Sequence, residues 1–246
     1  MNIEYHYWHS PNLDRNMELK VYGLTGKPFI IFPTQGGRFF QAEDKGIMQV
    51  ISDFINSGKI YIVAVDTVDY ESWSNKNIHP YDRGLRYIQY ENYILKEVIP
   101  FCSEKHGQNN IKAGTLGFSM GGYHAANFFF KHPDIFDGVI AISGFYDLRL
   151  LVGDYSDEQV YFNSPNRFLK NLTDPVILNQ IRQGKVVICS GQGAWEEEML
   201  ESTLEMKSIL EQKGIPAWID IWGHDVNHDW PWWRKMLPYF LEKIDI

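Results

Sequence analysis

A serine flanked by glycines stands where a strand pattern passes directly into a helix pattern, at residues 117–122, GFSMGG. Residues 111–116 form a mostly apolar run typical of a buried strand, and residues 120–131 have the spacing of a helix. Strand and helix backbones can approach this closely only when the neighbouring residues have almost no side chain, which glycine provides. The segment therefore predicts a strand, a sharp turn and a helix, with the backbone of Ser119 held in a strained conformation.

Predicted strands and helices alternate along the rest of the chain. The later strands are short and apolar on both faces, which is typical of a parallel sheet covered by helices. Strands are predicted at residues 4–10, 17–24, 28–32, 60–65, 111–116, 138–142, 186–190 and 217–221. Helices are predicted at residues 45–55, 84–102, 120–131, 196–212 and 233–244. This order predicts an α/β fold with a mostly parallel central sheet, helices on both faces, and the first two strands antiparallel at one edge.

The 246 residues contain no internal repeat and no long linker, so residues 1–246 are expected to form a single domain. The alternation is interrupted at residues 147–172, which are polar and aromatic without a steady period. Because this segment is too long for a simple turn, we expect it to form a lid or a pocket wall.

Charge and hydropathy argue against several classes of partner. The formal net charge is −8 and no run of lysine and arginine forms a basic stripe, which disfavours nucleic-acid binding. No uninterrupted apolar stretch is long enough to span a membrane, and the first residues do not resemble a secretory signal, so we expect a cytoplasmic protein. Only Cys102 and Cys189 occur, which predicts buried thiols rather than a disulfide framework. A homo-oligomer is compatible with the sequence.

A serine hydroxyl is a weak nucleophile near neutral pH and needs a base beside it. Two histidines, His224 and His228, follow the last predicted strand in the segment WGHDVNHDWPWW. We prefer His228 because it lies just before the final helix, whereas His224 directly follows the strand. Their spacing also resembles a metal-binding pair, but Gly223 and Pro231 indicate a loop and no third ligand is evident, so no metal is expected.

The acid that orients the base is expected on the loop after the strand at residues 186–190. Glu196 is preferred because it comes first in the acidic run, three residues after Gly193, where its carboxylate can turn back toward the imidazole. Glu197 stays open as an alternative, although the acidic run also suits the positive N-terminal end of the next helix. Asp147 is the other alternative, because its loop reaches the same edge of the sheet.

An attacked carbonyl group develops negative charge on its oxygen, which needs two backbone N–H donors. Met120, directly after the serine, is expected to supply one of them. The other is expected from the loop after the third predicted strand, where the glycines of TQGG keep the turn open. Either Gln35 or Gly36 presents its amide there.

Aromatic residues make up 15% of the chain, and four of the eight tryptophans fall between residues 222 and 233. Such a local excess is expected to line a substrate cleft. The side chains assigned to this cleft are Trp195, Trp230, Trp232 and His224. Three further histidines, His106, His124 and His132, are expected to be helix-end or surface residues.

Three segments, GFSMGGYHA, SGQGAWEEE and HDWPWWRKMLPYF, together resemble the esterase family of α/β-hydrolases that includes S-formylglutathione hydrolase (esterase D) and the mycolyltransferases. The likeness covers most of the chain. It implies the α/β-hydrolase fold, with Ser119 as nucleophile, His228 as base and Glu196 as acid. Many relatives have aspartate where this chain has Glu196, and many hydrolases have a histidine–glycine pair where it has FPTQGG.

The residues and the resemblance together predict a serine esterase that needs neither metal nor organic cofactor and cleaves a small-molecule ester or thioester. Two alternatives stay open. One is an acyltransferase that uses the same residues with an alcohol in place of water, and the other is an inactive carbohydrate- or peptide-binding protein that keeps the fold. The presence of Ser119, His228 and a carboxylate together favours the enzyme.

Overall fold

The computed structural model describes residues 1–107 and 111–244, and its centre is one eight-stranded sheet. The strands are β1 (Ile3–Ser10), β2 (Arg15–Tyr22), β3 (Lys27–Phe32), β4 (Ile60–Val65), β5 (Ala113–Phe118), β6 (Phe136–Ile142), β7 (Lys185–Ser190) and β8 (Trp218–Ile221). Each of them overlaps a predicted segment. The sheet order is β1-β2-β4-β3-β5-β6-β7-β8.

Most of the sheet is parallel, as predicted. The neighbours β4, β3, β5, β6, β7 and β8 all run in the same direction. At one edge, β1 pairs antiparallel with β2, and β2 pairs antiparallel with β4. A short connection at residues 11–14 turns β1 back into β2, which explains why these two strands pair side by side.

Helices connect the successive strands of the parallel part. They are α1 (Gln41–Asp44), α2 (Ile47–Val50), α3 (Ser52–Asn56), α4 (Pro80–Tyr93), α5 (Ile99–His106), α6 (Met120–Lys131), α7 (Arg149–Val152), α8 (Glu158–Phe162), α9 (Pro165–Asn171), α10 (Pro175–Gln183), α11 (Glu197–Gln212) and α12 (Trp230–Lys243). A π-helical turn, Ile94–Val98, joins α4 to α5, and a 3₁₀ turn, Asp69–Glu71, follows β4.

Several helical regions differ from the prediction, and the final helix begins at Trp230 rather than at residue 233. The helix predicted at residues 45–55 is two short helices, and Gly46 before the first of them has a left-handed backbone with φ 76°. The next predicted helix begins earlier, at Pro80, because His79 caps its first turn. The helix α10 was not predicted; the side chain of Asp174 accepts hydrogen bonds from its first backbone N–H groups.

Residues 147–172, predicted as a lid or pocket wall, contain the three short helices α7, α8 and α9. Asn163 anchors this segment to α6. Its carbonyl oxygen accepts a hydrogen bond from the hydroxyl of Tyr123 at 3.0 Å. Its side-chain oxygen accepts hydrogen bonds from Asn127 at 3.0 Å and Lys131 at 2.9 Å.

Helices cover both faces of the sheet, as predicted. Side chains alternate along each strand, so that Ile30 and Phe32 of β3 face one hydrophobic core while Phe29 and Ile31 face the other. The first core includes side chains of α4, α6, α9, α10 and α11, and the second includes side chains of α1, α2, α3 and α12. Burial on both faces explains why the parallel strands are apolar at nearly every position.

Cys102 and Cys189 are buried free thiols, as predicted. Burial raises the pKa of Cys102 to about 12 and raises the pKa of Cys189 well above its ordinary value. Both thiols are therefore protonated near neutral pH. In the described ranges, no helix combines the length and the apolar character that a membrane crossing requires.

The carboxyl ends of the parallel strands meet at one edge of the sheet. Phe32 of β3 pairs with Gly117 of β5, Phe118 pairs with Ile142 of β6, and Ile142 pairs with Cys189 of β7. The loops that follow these strands therefore leave the sheet side by side. The residues predicted from the sequence to be catalytic lie at this edge.

Candidate active site

Ser119 occupies the sharp turn between β5 and α6. Its backbone has φ 56° and ψ −124°, a conformation that residues other than glycine rarely adopt. The neighbouring glycines are required by close backbone packing. A Cβ on Gly117 would lie 2.1 Å from the carbonyl oxygen of Gly121, and a Cβ on Gly121 would lie 2.2 Å from that of Phe32. The strained turn predicted from the sequence is present.

His228 reaches Ser119 from the loop between β8 and α12. Its Nε2 lies 2.9 Å from Oγ of Ser119, which is hydrogen-bond distance. The backbone N–H of His228 donates to the carbonyl oxygen of Ala194 at 3.0 Å, and the imidazole makes an edge contact with the ring of Trp233. These contacts hold the imidazole beside the serine hydroxyl, where it can accept the hydroxyl proton.

Glu196 lies on the other side of His228, directly before α11. Its Oε1 is 3.2 Å from Nδ1 of His228, within ion-pair distance. The ring N–H points obliquely to this oxygen, so the contact does not have hydrogen-bond geometry. The carboxylate is fully buried and accepts hydrogen bonds from the hydroxyls of Ser143 at 2.5 Å and Ser190 at 2.9 Å. These bonds compensate for removing the carboxylate from water.

Ser143 and Trp233 support this carboxylate, and neither role was predicted from the sequence. The indole N–H of Trp233 donates to Oγ of Ser143 at 3.0 Å, and Ser143 donates to Glu196. The described residues include four non-glycine residues with positive φ, and three of them, Ser119, Ser143 and Trp195, lie in these loops. Backbone strain of this kind concentrates at functional sites.

Both supporting residues occupy positions that could have been recognised in the sequence. Ser143 directly follows the apolar strand β6, just as Ser119 directly follows β5. Trp233 belongs to the tryptophan cluster at residues 222–233 but not to the side chains assigned to the substrate cleft, and it is buried and packs parallel to the ring of Phe118. Its indole therefore serves as an internal donor rather than as a substrate wall.

The two alternative carboxylates, Asp147 and Glu197, lie in other environments. Asp147 accepts hydrogen bonds from Arg149 and Arg167 and forms ion pairs with both. Glu197 is exposed in the first turn of α11, where its charge suits the positive end of the helix. Within the described residues, neither carboxylate shares a hydrogen bond or an ion pair with His228.

The loop after β3 lies against the start of α6. A Cβ on Gly121 would come within 2.2 Å of the carbonyl oxygen of Phe32 and within 2.6 Å of that of Pro33, so the two backbones are in direct contact. Met120 is the first residue of α6, and its N–H lies ahead of the helical hydrogen bonds. The amide of Met120 and the residues that follow Pro33 therefore flank Ser119.

Gln35 and Gly36, the two candidate donors from this loop, differ in their hydrogen bonding. The backbone N–H of Gly36 donates to Oδ2 of Asp69 at 3.1 Å. The side chain of Gln35 donates to Oγ of Ser74 at 2.8 Å, but its backbone N–H meets no acceptor in residues 1–107 or 111–244. Of the two amides, that of Gln35 is the one available to a bound molecule.

The side chains assigned to the substrate cleft differ in their exposure and in their contacts. Trp195 is 80% exposed. Trp230 is partly buried and packs edge-on against Phe118, and Trp232 lies 4.2 Å beneath the ammonium group of a neighbouring lysine. His224 is exposed, with no polar side-chain contact among the described residues. Trp195 thus offers the most free aromatic surface, and the substrate-binding roles of all four stay predictions.

His124 is fully buried, which corrects the expectation that it lies at a helix end or on the surface. Its Nε2 lies 2.9 Å from Oδ1 of Asp69, and its Nδ1 lies 3.1 Å from the hydroxyl of Tyr87. The reason is that α6 runs between the sheet and surrounding helices, so that its polar side chains must find partners inside the protein.

The histidine pair considered as a metal site lies in irregular structure. His224 and His228 both fall between β8 and α12, outside any helix. Across the part of the chain that the structure describes, no group of three or more histidine, cysteine, aspartate and glutamate side chains could hold a metal ion.

A protein-family model described as "Putative esterase" matches residues 10–244 of the chain. The chain belongs to this esterase family. Family membership makes it an enzyme that hydrolyses carboxylic esters, which agrees with the prediction from the sequence. A search of the curated protein sequences found no match.

Solved structures show that the esterase has the α/β-hydrolase fold. A ferulic acid esterase superposes with a TM-score of 0.76 at 17% identity, covering 98% of this chain and 96% of that chain. The fluorophosphonate-binding serine hydrolase FphF of Staphylococcus aureus gives 0.73 at 15% identity, covering 98% and 97%. The S-formylglutathione hydrolase FrmB of the same organism gives 0.69 at 16% identity, covering 98% and 96%. The predicted fold is confirmed.

Proposed function

We propose that the esterase cleaves carboxylic esters or thioesters through an acyl-enzyme formed on Ser119, with His228 as general base and Glu196 as its orienting acid. The proposal rests on the meeting of three loops, in which Nε2 of His228 lies 2.9 Å from the serine oxygen and Nδ1 lies 3.2 Å from Glu196. Residues 1–246 act as a single catalytic domain on a small-molecule substrate, without a metal or an organic cofactor.

In the first half of the reaction, Oγ of Ser119 attacks the carbonyl carbon while Nε2 of His228 takes the hydroxyl proton. The imidazolium that forms is stabilised by the buried carboxylate of Glu196. A small rotation of the ring aligns its oblique Nδ1–H with this carboxylate, a tightening that is common when substrate binds. The bond to the leaving oxygen or sulfur then breaks, and His228 returns its proton to the leaving group.

In the second half, water replaces the leaving group beside His228. Nε2 takes a proton from this water, and the hydroxide attacks the ester carbonyl of the acyl-enzyme. Collapse of the tetrahedral intermediate breaks the bond to Oγ, and the imidazolium returns the proton to Ser119. The products are a carboxylic acid and the alcohol or thiol released in the first half.

The negative oxygen of each tetrahedral intermediate receives hydrogen bonds from the backbone N–H groups of Met120 and Gln35. This choice is supported by the engagement of the Gly36 amide with Asp69, which leaves the Gln35 amide unpaired among the described residues.

The substrate cleft is bounded by the exposed ring of Trp195 and by residues 147–172. The hydrogen bonds from α6 to Asn163 support a fixed wall for this segment rather than a moving lid, because they tie it to the helix that begins at the nucleophile. Trp230 and Trp232 are assigned to the wall of the same cleft.

Labelling with a fluorophosphonate probe tests the nucleophile without knowledge of the natural substrate. The probe phosphonylates a serine only when a base activates its hydroxyl, so native protein is expected to take up one label, mapped to Ser119 by peptide mass spectrometry. The Ser119→Ala variant and heat-unfolded protein serve as controls and should remain unlabelled. Absence of label on the native protein, or a label on another residue, would contradict the proposal.

A further inference from the structure

Asp69 is a buried carboxylate that takes no part in the proposed reaction. It begins the 3₁₀ turn after β4, and its side chain is 1% exposed. Its Oδ2 accepts the hydrogen bond from the backbone N–H of Gly36 at 3.1 Å, and its Oδ1 lies 2.9 Å from Nε2 of His124. Asp69 therefore joins the loop after β3 to α6, the two elements that flank Ser119.

A donor and an acceptor can be assigned to each hydrogen bond around His124. An ionised Asp69 only accepts hydrogen bonds, so Nε2 of His124 carries the proton and donates it. Nδ1 then accepts from the hydroxyl of Tyr87 at 3.1 Å, and the Tyr87 oxygen accepts from the amide of Asn127 at 3.2 Å. With His124 neutral, each of these contacts has a donor and an acceptor, and the carboxylate of Asp69 is held in one orientation.

Gly36 depends on this carboxylate for its position. Its φ of +65° is left-handed, and a Cβ at this residue would lie 2.2 Å from the ring of Tyr70, so no side chain can anchor it. The bond from its N–H to Asp69 holds the peptide that joins Gln35 to Gly36. The adjoining N–H, that of Gln35, has no protein acceptor among the described residues.

We propose that Asp69 is a positioning residue for the oxyanion hole, in which it holds Gly36 so that the Gln35 amide points at the substrate carbonyl oxygen. His124 keeps Asp69 in place and transfers no proton. This inference rests on the serine esterase function proposed above. Because oxyanion donors act mainly on the transition state, loss of the positioning bond lowers kcat and leaves KM nearly unchanged.

The test compares Asp69→Ala and Asp69→Asn by steady-state kinetics on a short chromogenic ester. Asp69→Ala removes the acceptor for Gly36, and we expect kcat to fall about 10- to 100-fold with KM changed by less than about threefold. Asp69→Asn keeps an amide oxygen that accepts from Gly36, and we expect it to restore kcat to within about fivefold of the wild-type value.

The matched control is Tyr90→Phe, measured together with the thermal unfolding midpoint of each variant. Tyr90 is buried in the same core, and its hydroxyl donates to the carbonyl oxygen of Asp66 rather than to Asp69 or His124. This variant is expected to lose stability while keeping kcat within about threefold of the wild-type value. If Asp69→Ala does not fold, Asp69→Ser replaces it, because a serine hydroxyl is too short to reach Gly36.

The inference is overturned if removal of the acceptor at residue 69 leaves kcat within about threefold of wild type, or if kcat follows the unfolding midpoint equally in all variants. A failure of the proposed serine esterase function would give a different result. In that case Ser119→Ala retains activity, whatever the substitution at residue 69 does.

Discussion

Oε1 of Glu196 accepts a hydrogen bond of 2.5 Å from Ser143 and lies 3.2 Å from Nδ1 of His228, so one carboxylate oxygen serves two partners. The other oxygen, Oε2, is bound to Ser190 at 2.9 Å. Held on both oxygens, the carboxylate cannot rotate away from the imidazole. The orientation of the proposed base thus depends on the ends of β6 and β7 as well as on its own loop.

Replacing the proposed nucleophile is expected to remove activity without unfolding the protein. Ser119→Ala deletes Oγ, and we expect turnover of a short chromogenic ester to fall about 10⁴- to 10⁶-fold. Circular dichroism and the thermal midpoint should stay close to those of the wild type. Turnover near the wild-type rate would exclude Ser119 as the nucleophile.

The acid is identified by comparing Glu196→Gln with Asp147→Asn. A glutamine amide can turn a donor toward Nδ1 of His228 and favour the wrong tautomer, so Glu196→Gln is expected to lower kcat about 10²- to 10⁴-fold. Asp147→Asn weakens only the pairs with Arg149 and Arg167 and should keep kcat within about threefold. A larger loss in Asp147→Asn would assign the acid to the loop after β6 instead.

Trp233→Phe tests the indole N–H that donates to Ser143, the residue that in turn donates to the Glu196 carboxylate. The substitution keeps an aromatic ring but removes the N–H that donates to Ser143 at 3.0 Å, and we expect kcat to fall about 2- to 10-fold. Trp218→Phe is the control, because Trp218 packs in the same core against Phe240 and makes no contact with Ser143 among the described residues. Equal effects of the two substitutions would reduce the role of Trp233 to packing.

The tight approach of α6 to β3 predicts that Gly121→Ala is strongly destabilising. Alanine would favour the helix by about 1 kcal/mol, but its Cβ would lie 2.2 Å from the carbonyl oxygen of Phe32. We expect a net loss of about 3 kcal/mol in unfolding free energy, measured by urea denaturation. The control is Gly138→Ala, whose Cβ would lie 3.6 Å from the nearest atom, an ordinary contact. Similar stability of the two variants would disprove the steric explanation.

A partly buried ion pair at the far end of α6 from Ser119 predicts a pH-dependent contribution to stability. Glu91 accepts hydrogen bonds from Lys131 and His132, both at 2.6 Å. Burial raises the pKa of Glu91, but the bond from His132 and the charge of Lys131 outweigh it, and the pKa falls below the ordinary value of 4.5. A carboxyl group with a lowered pKa contributes stability that is present above its unfolded pKa and lost as the pH falls through its folded pKa.

Glu91→Gln is therefore expected to lower the unfolding free energy by about 2 kcal/mol near neutral pH, since it removes the charged partner of the partly buried Lys131. The difference from wild type should shrink as the pH is lowered from 4.5 toward the folded pKa. Urea denaturation across this range measures the difference. A constant difference at all pH values would show that Glu91 acts through packing and not through its charge.

The sequence predicted the turn at Ser119 because the forces there are local. The apolar strand, the two glycines and the helix that follows are neighbours in the chain, and steric exclusion between adjacent backbones selects their conformation. His228 was also accessible to sequence reasoning, because its loop stands between the last strand and the last helix. Parallel strands bring such loops to one edge whatever their length.

Sequence reasoning preferred Glu196 as the acid but could not exclude its alternatives, because several carboxylates compete for one partner. Glu196, Glu197 and Asp147 all lie near the same sheet edge, and local patterns rank them only weakly. The choice depends on Ser143 and Ser190 binding Glu196 while two arginines bind Asp147. Ser143 is 53 residues from Glu196 in sequence and Arg167 is 20 residues from Asp147, so no short segment contains either of these two pairs.

The sequence by itself determined the strands, the main helices and the strained serine turn, because apolar spacing and glycine sterics act over a few residues. Only the tertiary structure decided that Glu196 faces His228, that Asp69 holds Gly36, and that His124 is buried. Hydrogen bonds and ion pairs between distant residues depend on strand register and loop paths. The spacing of residues along the chain does not specify these long-range contacts.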